Sequence, residues 1–214
     1  MKINFLKYSE EFVEKVGTYH DGSSHWESGY PRHSLMFFEG LVIYSFIKEY
    51  NIDYFIESGV RLGGSTSIWG RTLPDIDITC IDKNIHRNSK HFWNTTILEQ
   101  LSPKHSNIEF VNDNSISLIP KLIENNPDKR IGIFIDGPKG NDALKLGKKA
   151  LSYENVYFTS MHDLDISSNE ERNVFSTTDY KELRKLVKST EKLNKEHPQF
   201  NNHPRGFGLC TFYK

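Results

Sequence analysis

The chain has 214 residues, of which 36% are hydrophobic and 26% charged, and its formal net charge at pH 7 is -1. This length suits a single domain with a substantial core, and the composition argues against wholesale disorder. The balanced charge lacks the basic excess typical of nucleic-acid binders, so we expect no nucleic-acid partner. No stretch approaches the ~18 consecutive apolar residues needed to span a bilayer, so we expect no membrane partner.

The cysteines and the N-terminal stretch indicate the compartment. Cys80 and Cys210 each lie in a short apolar run, which predicts two buried thiols in a reducing environment. The first 16 residues, MKINFLKYSEEFVEKV, carry acidic residues early and lack the apolar segment of a signal peptide. We therefore expect a cytoplasmic protein.

The N-terminal region combines a helical pattern with a polar loop. Residues 9–16 are predicted to form a short helix, and residues 17–33 are rich in Gly, Ser, His and aromatic side chains, as loops often are. We interpret residues 1–33 as an N-terminal extension of a single domain spanning 1–214. The extension serves either as a lid whose aromatic side chains cover a substrate or as a surface loop without a partner.

A strongly apolar helix is predicted next, over residues 34–50, with Ser34 as its N-cap. Its aromatic side chains Phe37, Phe38 and Tyr44 are expected to cover the core or to contact a partner subunit. A homo-oligomer is therefore one of the two arrangements that this helix predicts.

From residue 53 onward, apolar strands alternate with helical patterns. Strands are predicted over residues 53–58, 77–82, 108–112, 130–137, 155–163 and 206–214. Helices are predicted over residues 64–73, 90–101, 115–126, 141–151 (with Asn141 or Asp142 as N-cap) and 179–197. This order predicts an α/β fold of the Rossmann-like, doubly wound type: a mostly parallel sheet of about seven strands with helices on both faces.

Acidic residues stand at the ends of the successive predicted strands. Right-handed crossovers bring the carboxyl ends of parallel strands to one edge of the sheet, and ligands bind at that edge. The acidic residues at these ends are Glu57, Asp82, Asp113, Asp136 and Asp163. We therefore expect a functional site lined by carboxylates.

The loop after the first strand reads ESGVRLGGST, residues 57–66. A dinucleotide fingerprint, G-x-G-x-x-G, needs a second glycine where this chain has Arg61. A phosphate-binding loop of the G-x-x-x-x-G-K-[ST] type needs a lysine where Ser65 follows Gly64. The loop therefore matches neither of these phosphate-binding patterns.

The loop and the later strand ends resemble class I S-adenosylmethionine-dependent methyltransferases. More narrowly, they resemble the branch that includes the macrolide and rhamnosyl O-methyltransferases and the cephalosporin-hydroxylase-like proteins. The resemblance covers about residues 34 to 163. The residues that carry it are Glu57, Gly59, Arg61, Gly63, Ser65 and Thr66 in the loop, Asp82, the NDNS turn (112–115) and FIDGPKG (134–140). It implies S-adenosylmethionine as cofactor and methyl transfer to an oxygen of a small molecule such as a sugar or a secondary metabolite.

The resemblance also implies roles for the loop residues. Gly59 and Gly63 leave room for the methionine portion of the cofactor, and Glu57 lies near its ammonium group. Ser65 and Thr66 cap the following helix and reach the cofactor carboxylate, with Arg61 in the same loop. A plain turn with ordinary N-caps is the alternative interpretation of these residues.

The resemblance assigns the rest of the cofactor to the later strand ends. Asp82 is placed to bind both ribose hydroxyls. Asp113, Asn114 and Ser115 are placed at the adenine amino group, and Asp136 completes the implied cofactor-binding set. An Asx turn in NDNS is the alternative for Asp113.

Asp136, His162 and Asp163 form the candidate catalytic group. In the metal-dependent O-methyltransferases that the chain resembles, acids at these strand ends hold a divalent cation that lowers the pKa of the acceptor hydroxyl. This chain departs from that pattern at His162 and in the GPK sequence that ends in Lys139, which we interpret as solvated. Three interpretations stay open: a metal site for Mg²⁺, Mn²⁺ or Fe²⁺, His162 as a general base oriented by Asp163, or a turn network without chemistry.

Two rival functions belong to other classes. The first is a non-catalytic methyltransferase-like binding module, which Arg61 and the altered motif after the fourth strand permit. The second is a nucleotide-sugar glycosyltransferase, which the D-x-D sequence Asp163-Leu164-Asp165 would suit, although this short pattern often occurs by chance.

Overall fold

Strands and helices alternate in the computed structural model, which describes residues 5–17, 37–60, 63–83, 106–164, 174–175 and 209–214. The strands are β1 (Tyr54–Ser58), β2 (Asp77–Ile81), β3 (Ile108–Val111), β4 (Ile131–Ile135), β5 (Val156–His162), β6 (Val174–Phe175) and β7 (Leu209–Tyr213). The helices are α1 (Phe5–Gly17), α2 (Phe37–Glu49), α3 (Gly64–Thr72), α4 (Ser115–Glu124) and α5 (Gly140–Leu151). The helices predicted at 90–101 and 179–197, and the loop predicted after residue 17, lie outside the described residues.

The strands form one seven-stranded sheet in the order β3-β2-β1-β4-β5-β7-β6. Strands β1 to β5 are parallel, and β7 runs antiparallel to both β5 and β6. The strand order reverses between β1 and β4, which is the position where open α/β sheets bind their ligands. The predicted mostly parallel, doubly wound sheet is confirmed.

Helices cover both faces of the sheet because successive side chains of each strand point to opposite faces. On one face, Phe55, Phe134 and Phe158 pack with α1, α2 and α3. On the other face, the isoleucines of β1 and β4 pack with α4 and α5. The centres of both layers consist of buried apolar side chains, as continuous apolar strands predict.

Helix α2 is a core helix in the described part of the chain. Its residues from Glu39 to Ile47 are buried, and the ring of Phe46 lies 5.4 Å from that of Phe158 on the sheet. Helix α1 covers the outer side of α2, where the ring of Phe12 lies 5.1 Å from that of Tyr44. The apolar side chains of α2 from Leu41 to Ile47 are thus buried within this chain, whereas the side chains of Phe37 and Phe38 are not among the described ones. Among the described residues, no helix combines the length and apolar character needed to cross a bilayer.

The start of α5 differs from the prediction. Lys139 is the N-cap residue and no side chain caps the helix, whereas Asn141 and Asp142 lie inside its first turn. The predicted cap at Asn141 or Asp142 was therefore wrong. Cap-forming residue types also occur within first turns, so their presence alone does not fix the first helical residue.

Gly132 on β4 provides a test of the packing between the sheet and its aromatic layer. A Cβ at this position would lie 2.5 Å from the ring of the buried Phe158. We expect Gly132→Ala to lower the free energy of unfolding by about 1–3 kcal/mol, because a rigid ring in a packed core has little room to move. Urea denaturation measures the change.

Gly147→Ala is the matched control. Its Cβ would meet the sulfur of Met161, the flexible end of an adaptable side chain, so the loss should be smaller. Adding Phe158→Leu to Gly132→Ala should recover part of the loss. Equal losses for the two glycine variants would contradict this account of the packing.

Candidate functional site

The predicted acidic residues come together along one edge of the sheet. In spatial order, Asp113, Asp82, Glu57, Asp136 and Asp163 belong to the carboxyl ends of β3, β2, β1, β4 and β5. The edge includes the reversal of strand order between β1 and β4. The expectation that these side chains gather at one edge of the sheet is met.

Glu57 is the anchor of the loop that follows β1. Its side chain is fully buried, and it accepts hydrogen bonds from the hydroxyls of Ser65 and Thr66, the latter at 2.5 Å. The indole nitrogen of Trp69 and the thiol of Cys80 also donate to it, each at 3.3 Å. These contacts link β1 to both α3 and β2.

The surroundings of Glu57 favour its protonated form. Burial raises its pKa to about 7, although the hydrogen bonds from Ser65, Thr66 and Cys80 favour the charged form. Burial, together with the neighbouring Glu57, also raises the pKa of Cys80 well above its usual value. Glu57 therefore titrates near neutral pH.

The first turn of α3 corrects one expectation. The residue that precedes the helix is Gly63, in the left-handed conformation with φ 73°, and no side chain caps the helix. Ser65 and Thr66 are buried and donate to Glu57 instead, so the prediction that they cap α3 was wrong. Their contact with a cofactor stays a prediction, and Arg61 lies outside the described residues.

Gly59 allows the ends of β1 and β4 to touch. It has φ 94°, and a Cβ there would lie 2.6 Å from the backbone nitrogen of Gly137. The backbone N–H groups of Asp136 and Gly137 both donate to the carbonyl of Ser58, at 2.7 and 3.0 Å. The neighbouring backbone at the end of β4 thus leaves no room for a side chain, which is why this position needs glycine.

The predicted ribose and adenine residues lie at the ends of β2 and β3. Asp82 directly follows β2, and its backbone N–H donates to the carbonyl of Val111 at 3.1 Å. Asp113 is exposed and accepts from the backbone N–H of Asn114 at 2.6 Å. Their positions on neighbouring strands agree with the prediction, and their contact with a cofactor stays a prediction.

Asn114 and Ser115 have structural partners in the turn that they form. The side chain of Asn114 caps α4 by accepting from the backbone N–H of Ile116 at 3.2 Å. The hydroxyl of the buried Ser115 donates to the carbonyl of Gly137 at 3.3 Å. The NDNS sequence thus acts as a helix start that also supports the end of β4.

The candidate catalytic group forms at the ends of β4 and β5. One potential ligand atom from each of Asp136, His162 and Asp163 lies within 4.8 Å of the others. His162 Nδ1 lies 2.8 Å from Asp136 Oδ1 and 3.4 Å from Asp163 Oδ2. The structure therefore brings together the three residues that the sequence predicted.

Two further charged residues belong to this group. Glu39, almost fully buried on α2, has its Oε2 3.2 Å from His162 Nε2. Lys139 donates to Asp136 and, at 2.7 Å, to Asp163, so the interpretation of this lysine as merely solvated was wrong. We refer to Glu39, Asp136, Lys139, His162 and Asp163 as the charged cluster. The sequence analysis did not include Glu39; an acid in the first turn of the otherwise apolar start of α2 was the signal that could have identified it.

The charged cluster favours a protonated His162. Burial alone lowers the pKa of His162, but its hydrogen bonds to Asp136 and Glu39 raise that pKa to about 10. Burial also lowers the pKa of Lys139, but Asp136 and Asp163 outweigh this effect and raise it. A protonated imidazole has no lone pair with which to take a proton, so this arrangement does not support His162 as a general base.

Structural comparison identifies the fold. No protein-family model and no curated protein sequence matches this chain. The structure is similar to the O-methyltransferase TomG of Streptomyces achromogenes, with a TM-score of 0.51, 12% identity and coverage of 96% of this chain and 90% of TomG. It is also similar to the methyltransferase PaMTH1 of Podospora anserina, with a TM-score of 0.50, 14% identity and coverage of 96% and 97%. A methyltransferase of Geobacter sulfurreducens gives a TM-score of 0.51 and 14% identity over 94% and 96%.

These similarities extend over nearly the whole of each chain and show the fold. The chain has the Rossmann-like fold of the class I S-adenosylmethionine-dependent methyltransferases. The fold expectation drawn from the glycine loop and the strand-end acids is therefore confirmed.

Gly59→Ala tests the contact between the ends of β1 and β4. We expect a loss of roughly 2–4 kcal/mol in the free energy of unfolding, because the variant combines an unfavourable φ with a backbone collision. Gly137→Ala is the control from the other side of the contact, since its Cβ would meet only the Cα of Gly59, at an ordinary 3.6 Å. Chemical denaturation measures the free energy of unfolding of both variants. An unchanged free energy of unfolding for Gly59→Ala would contradict the close contact between the ends of β1 and β4.

Glu57→Gln tests the titration of the buried anchor. Because the pKa of Glu57 is about 7 in the folded chain and near the ordinary glutamate value of 4.5 in the unfolded chain, the folded state binds the proton more tightly. The stabilisation of the folded state by this bound proton is complete below pH 4.5 and is lost as the pH rises to about 7. The free energy of unfolding should change by roughly 3 kcal/mol over this range. The difference between wild type and Glu57→Gln, measured by denaturation from pH 4.5 to 8, should show this slope. A constant difference would contradict it.

Proposed function

We propose that this protein is an S-adenosylmethionine-dependent methyltransferase that methylates an oxygen of a small molecule. The observation that carries the proposal is the combination, on a methyltransferase fold, of a glycine loop after β1 with acids closing β2 and β3 at the reversal of strand order. TomG was solved with S-adenosylmethionine bound and PaMTH1 with S-adenosylhomocysteine bound. In this chain, Gly59, Gly63, Asp82 and Asp113 lie at the carboxyl ends of β1, β2 and β3.

Each part of the cofactor has candidate residues along this edge. Asp82 offers a carboxylate for the ribose hydroxyls, and Asp113 offers an acceptor for the adenine amino group. The N-terminus of α3 offers backbone N–H groups and a positive dipole end for the methionine carboxylate. The bound cofactor would supply an electrophilic methyl group.

The glycine loop needs a firm support to hold such a ligand. Glu57 supplies it from beneath, because its buried side chain binds Ser65, Thr66 and Trp69 of α3 at once. Fixed loops bind small ligands more tightly than mobile ones, since less conformational entropy is lost on binding. We assign Glu57, Ser65 and Thr66 to cofactor binding through this support of the loop.

The acceptor side of the proposed site is the charged cluster. Asp136 and His162 end the adjacent strands β4 and β5, and Asp163 and Lys139 are partly exposed beside them. Charged, solvent-accessible groups suit a polar acceptor that carries hydroxyl groups, such as a sugar or a secondary metabolite. Asp136, His162 and Asp163 are the candidate residues for orienting the acceptor oxygen.

Metal assistance depends on whether this cluster fits a divalent cation. The ammonium group of Lys139 already lies within hydrogen-bonding distance of Asp136 and Asp163 and 3.5 Å from His162 Nδ1. The described arrangement of these side chains therefore does not fit Mg²⁺, and the proposed reaction includes no step through a metal.

We also propose a cytoplasmic location, with a small molecule as the acceptor and with neither nucleic acid nor membrane as partner. Neither Cys80 nor Cys210 forms a disulfide and both side chains are buried, as is usual in a reducing compartment. The narrower resemblance to macrolide and rhamnosyl O-methyltransferases supports a sugar or secondary metabolite as acceptor.

Asp82→Ala tests the proposed cofactor site. We expect it to weaken binding of S-adenosylhomocysteine about ten- to a hundredfold, because hydrogen bonds to a charged carboxylate would be lost. Asp77→Ala is the matched control, since Asp77 begins the same strand at the opposite edge and pairs with Lys129 at 3.3 Å. Isothermal titration calorimetry of the two variants and the wild type gives the affinities.

Four outcomes are informative. Loss of affinity for Asp82→Ala alone supports the cofactor site. Binding without methylation of any hydroxylated acceptor would favour a non-catalytic binding module of the same fold. Failure of the wild type to bind S-adenosylhomocysteine would contradict the proposal, and binding of a nucleotide sugar instead would favour a glycosyltransferase.

A further inference from the structure

The charged cluster contains the groups from which a divalent cation site is usually built. Asp136 and Asp163 offer carboxylate oxygens and His162 offers an imidazole nitrogen, with these atoms within 4.8 Å of one another. The residues end two adjacent parallel strands, so the fold itself fixes their spacing. A cation at their centre would offset the repulsion between the two carboxylates.

Lys139 places a cation at that centre. Its ammonium group donates to Asp136 Oδ1 and, at 2.7 Å, to Asp163 Oδ2, and lies 3.5 Å from His162 Nδ1. Asp136, His162 and Asp163 are the same three residues that could ligate a metal ion. A divalent cation binds carboxylate oxygens at about 2.0–2.6 Å, so it would need the space that the ammonium group occupies.

The hydrogen bonding of His162 also argues against a metal ion at this site. Its Nδ1 lies 2.8 Å from Asp136 Oδ1, and its Nε2 lies 3.2 Å from Oε2 of Glu39. Two carboxylate oxygens at these distances need N–H groups between them and the ring, because an oxygen and a bare nitrogen would both be acceptors. A nitrogen that carries a hydrogen offers no lone pair to a metal.

The position of Lys139 in the fold is not explained by helix preference. It is the N-cap residue of α5, where the helix dipole disfavours a positive charge. The two carboxylates of Asp136 and Asp163 offset this cost at the same place. The side chain is 50% exposed, so the ammonium group also faces the solvent at the edge where ligands bind.

We propose that the ammonium group of Lys139 takes the place of a divalent cation between Asp136 and Asp163, so that this site works without a metal ion. The statement that methyl transfer at this site needs no metal ion rests on the proposed function. The statement that Lys139 takes the place of a divalent cation depends only on the charged cluster, so it can fail or succeed independently.

Mn²⁺ titration of three purified proteins tests the proposal, with electron paramagnetic resonance reporting the free ion. The wild type should show no Mn²⁺ binding at the cluster. Lys139→Met, which keeps most of the length of the side chain and removes its charge, should bind Mn²⁺ at least roughly thirtyfold more tightly than the detection limit that the wild type sets. Lys145→Met is the matched control, because Lys145 is an exposed lysine of the same helix and should leave the titration unchanged.

Two further measurements close the test. Adding Asp163→Asn to Lys139→Met should remove the gained binding, which assigns it to the cluster. If Lys139→Met does not fold, as circular dichroism would show, Lys139→Gln takes its place. Mn²⁺ binding by the wild type that Asp163→Asn abolishes would overturn the proposal, and so would a folded Lys139 variant without gained binding. Titration with S-adenosylhomocysteine tests the proposed function separately.

Discussion

The candidate site depends first on the buried side chain of Glu57. A carboxyl group taken out of water needs hydrogen-bond donors, and the chain supplies them from Ser65, Thr66, Trp69 and Cys80. Because these donors come from α3 and β2, satisfying one buried group also fixes the strand, the helix and the loop between them. The position of the glycine loop thus follows from a requirement of burial as well as from its own sequence.

Backbone contact at the reversal of strand order adds a second constraint. Gly59 lets the end of β1 approach Gly137, whose carbonyl accepts hydrogen bonds from the hydroxyls of Ser58 and Ser115. The end of β1, the end of β4 and the start of α4 are thereby joined at one peptide group beside Asp136. A glycine that looks like a cofactor-binding feature in the sequence thus has a packing role that is independent of any ligand.

Charge balance then shapes the charged cluster. Asp136 and Asp163 would repel each other at the ends of adjacent strands, and Lys139 and His162 lie between them as donors. The buried Glu39 orients the far side of the imidazole from α2. A residue from the first helical layer therefore takes part in a cluster built mainly by β4 and β5, which couples the N-terminal half of the chain to the proposed chemistry.

The sequence by itself determined the fold class and the order of the acidic residues along the edge of the sheet. Both follow from local patterns, because apolar strands alternate with helices and parallel crossovers place every carboxyl end on the same side. Only the tertiary structure decided which side chains pair with one another at the site. Glu39 meets His162 across 123 positions of sequence, and Lys139 meets Asp163 across 24. The hydroxyls of Ser65 and Thr66 bind Glu57 because burial left that carboxyl group without water. Such choices depend on which groups packing brings together and deprives of solvent, and no local pattern carries that information.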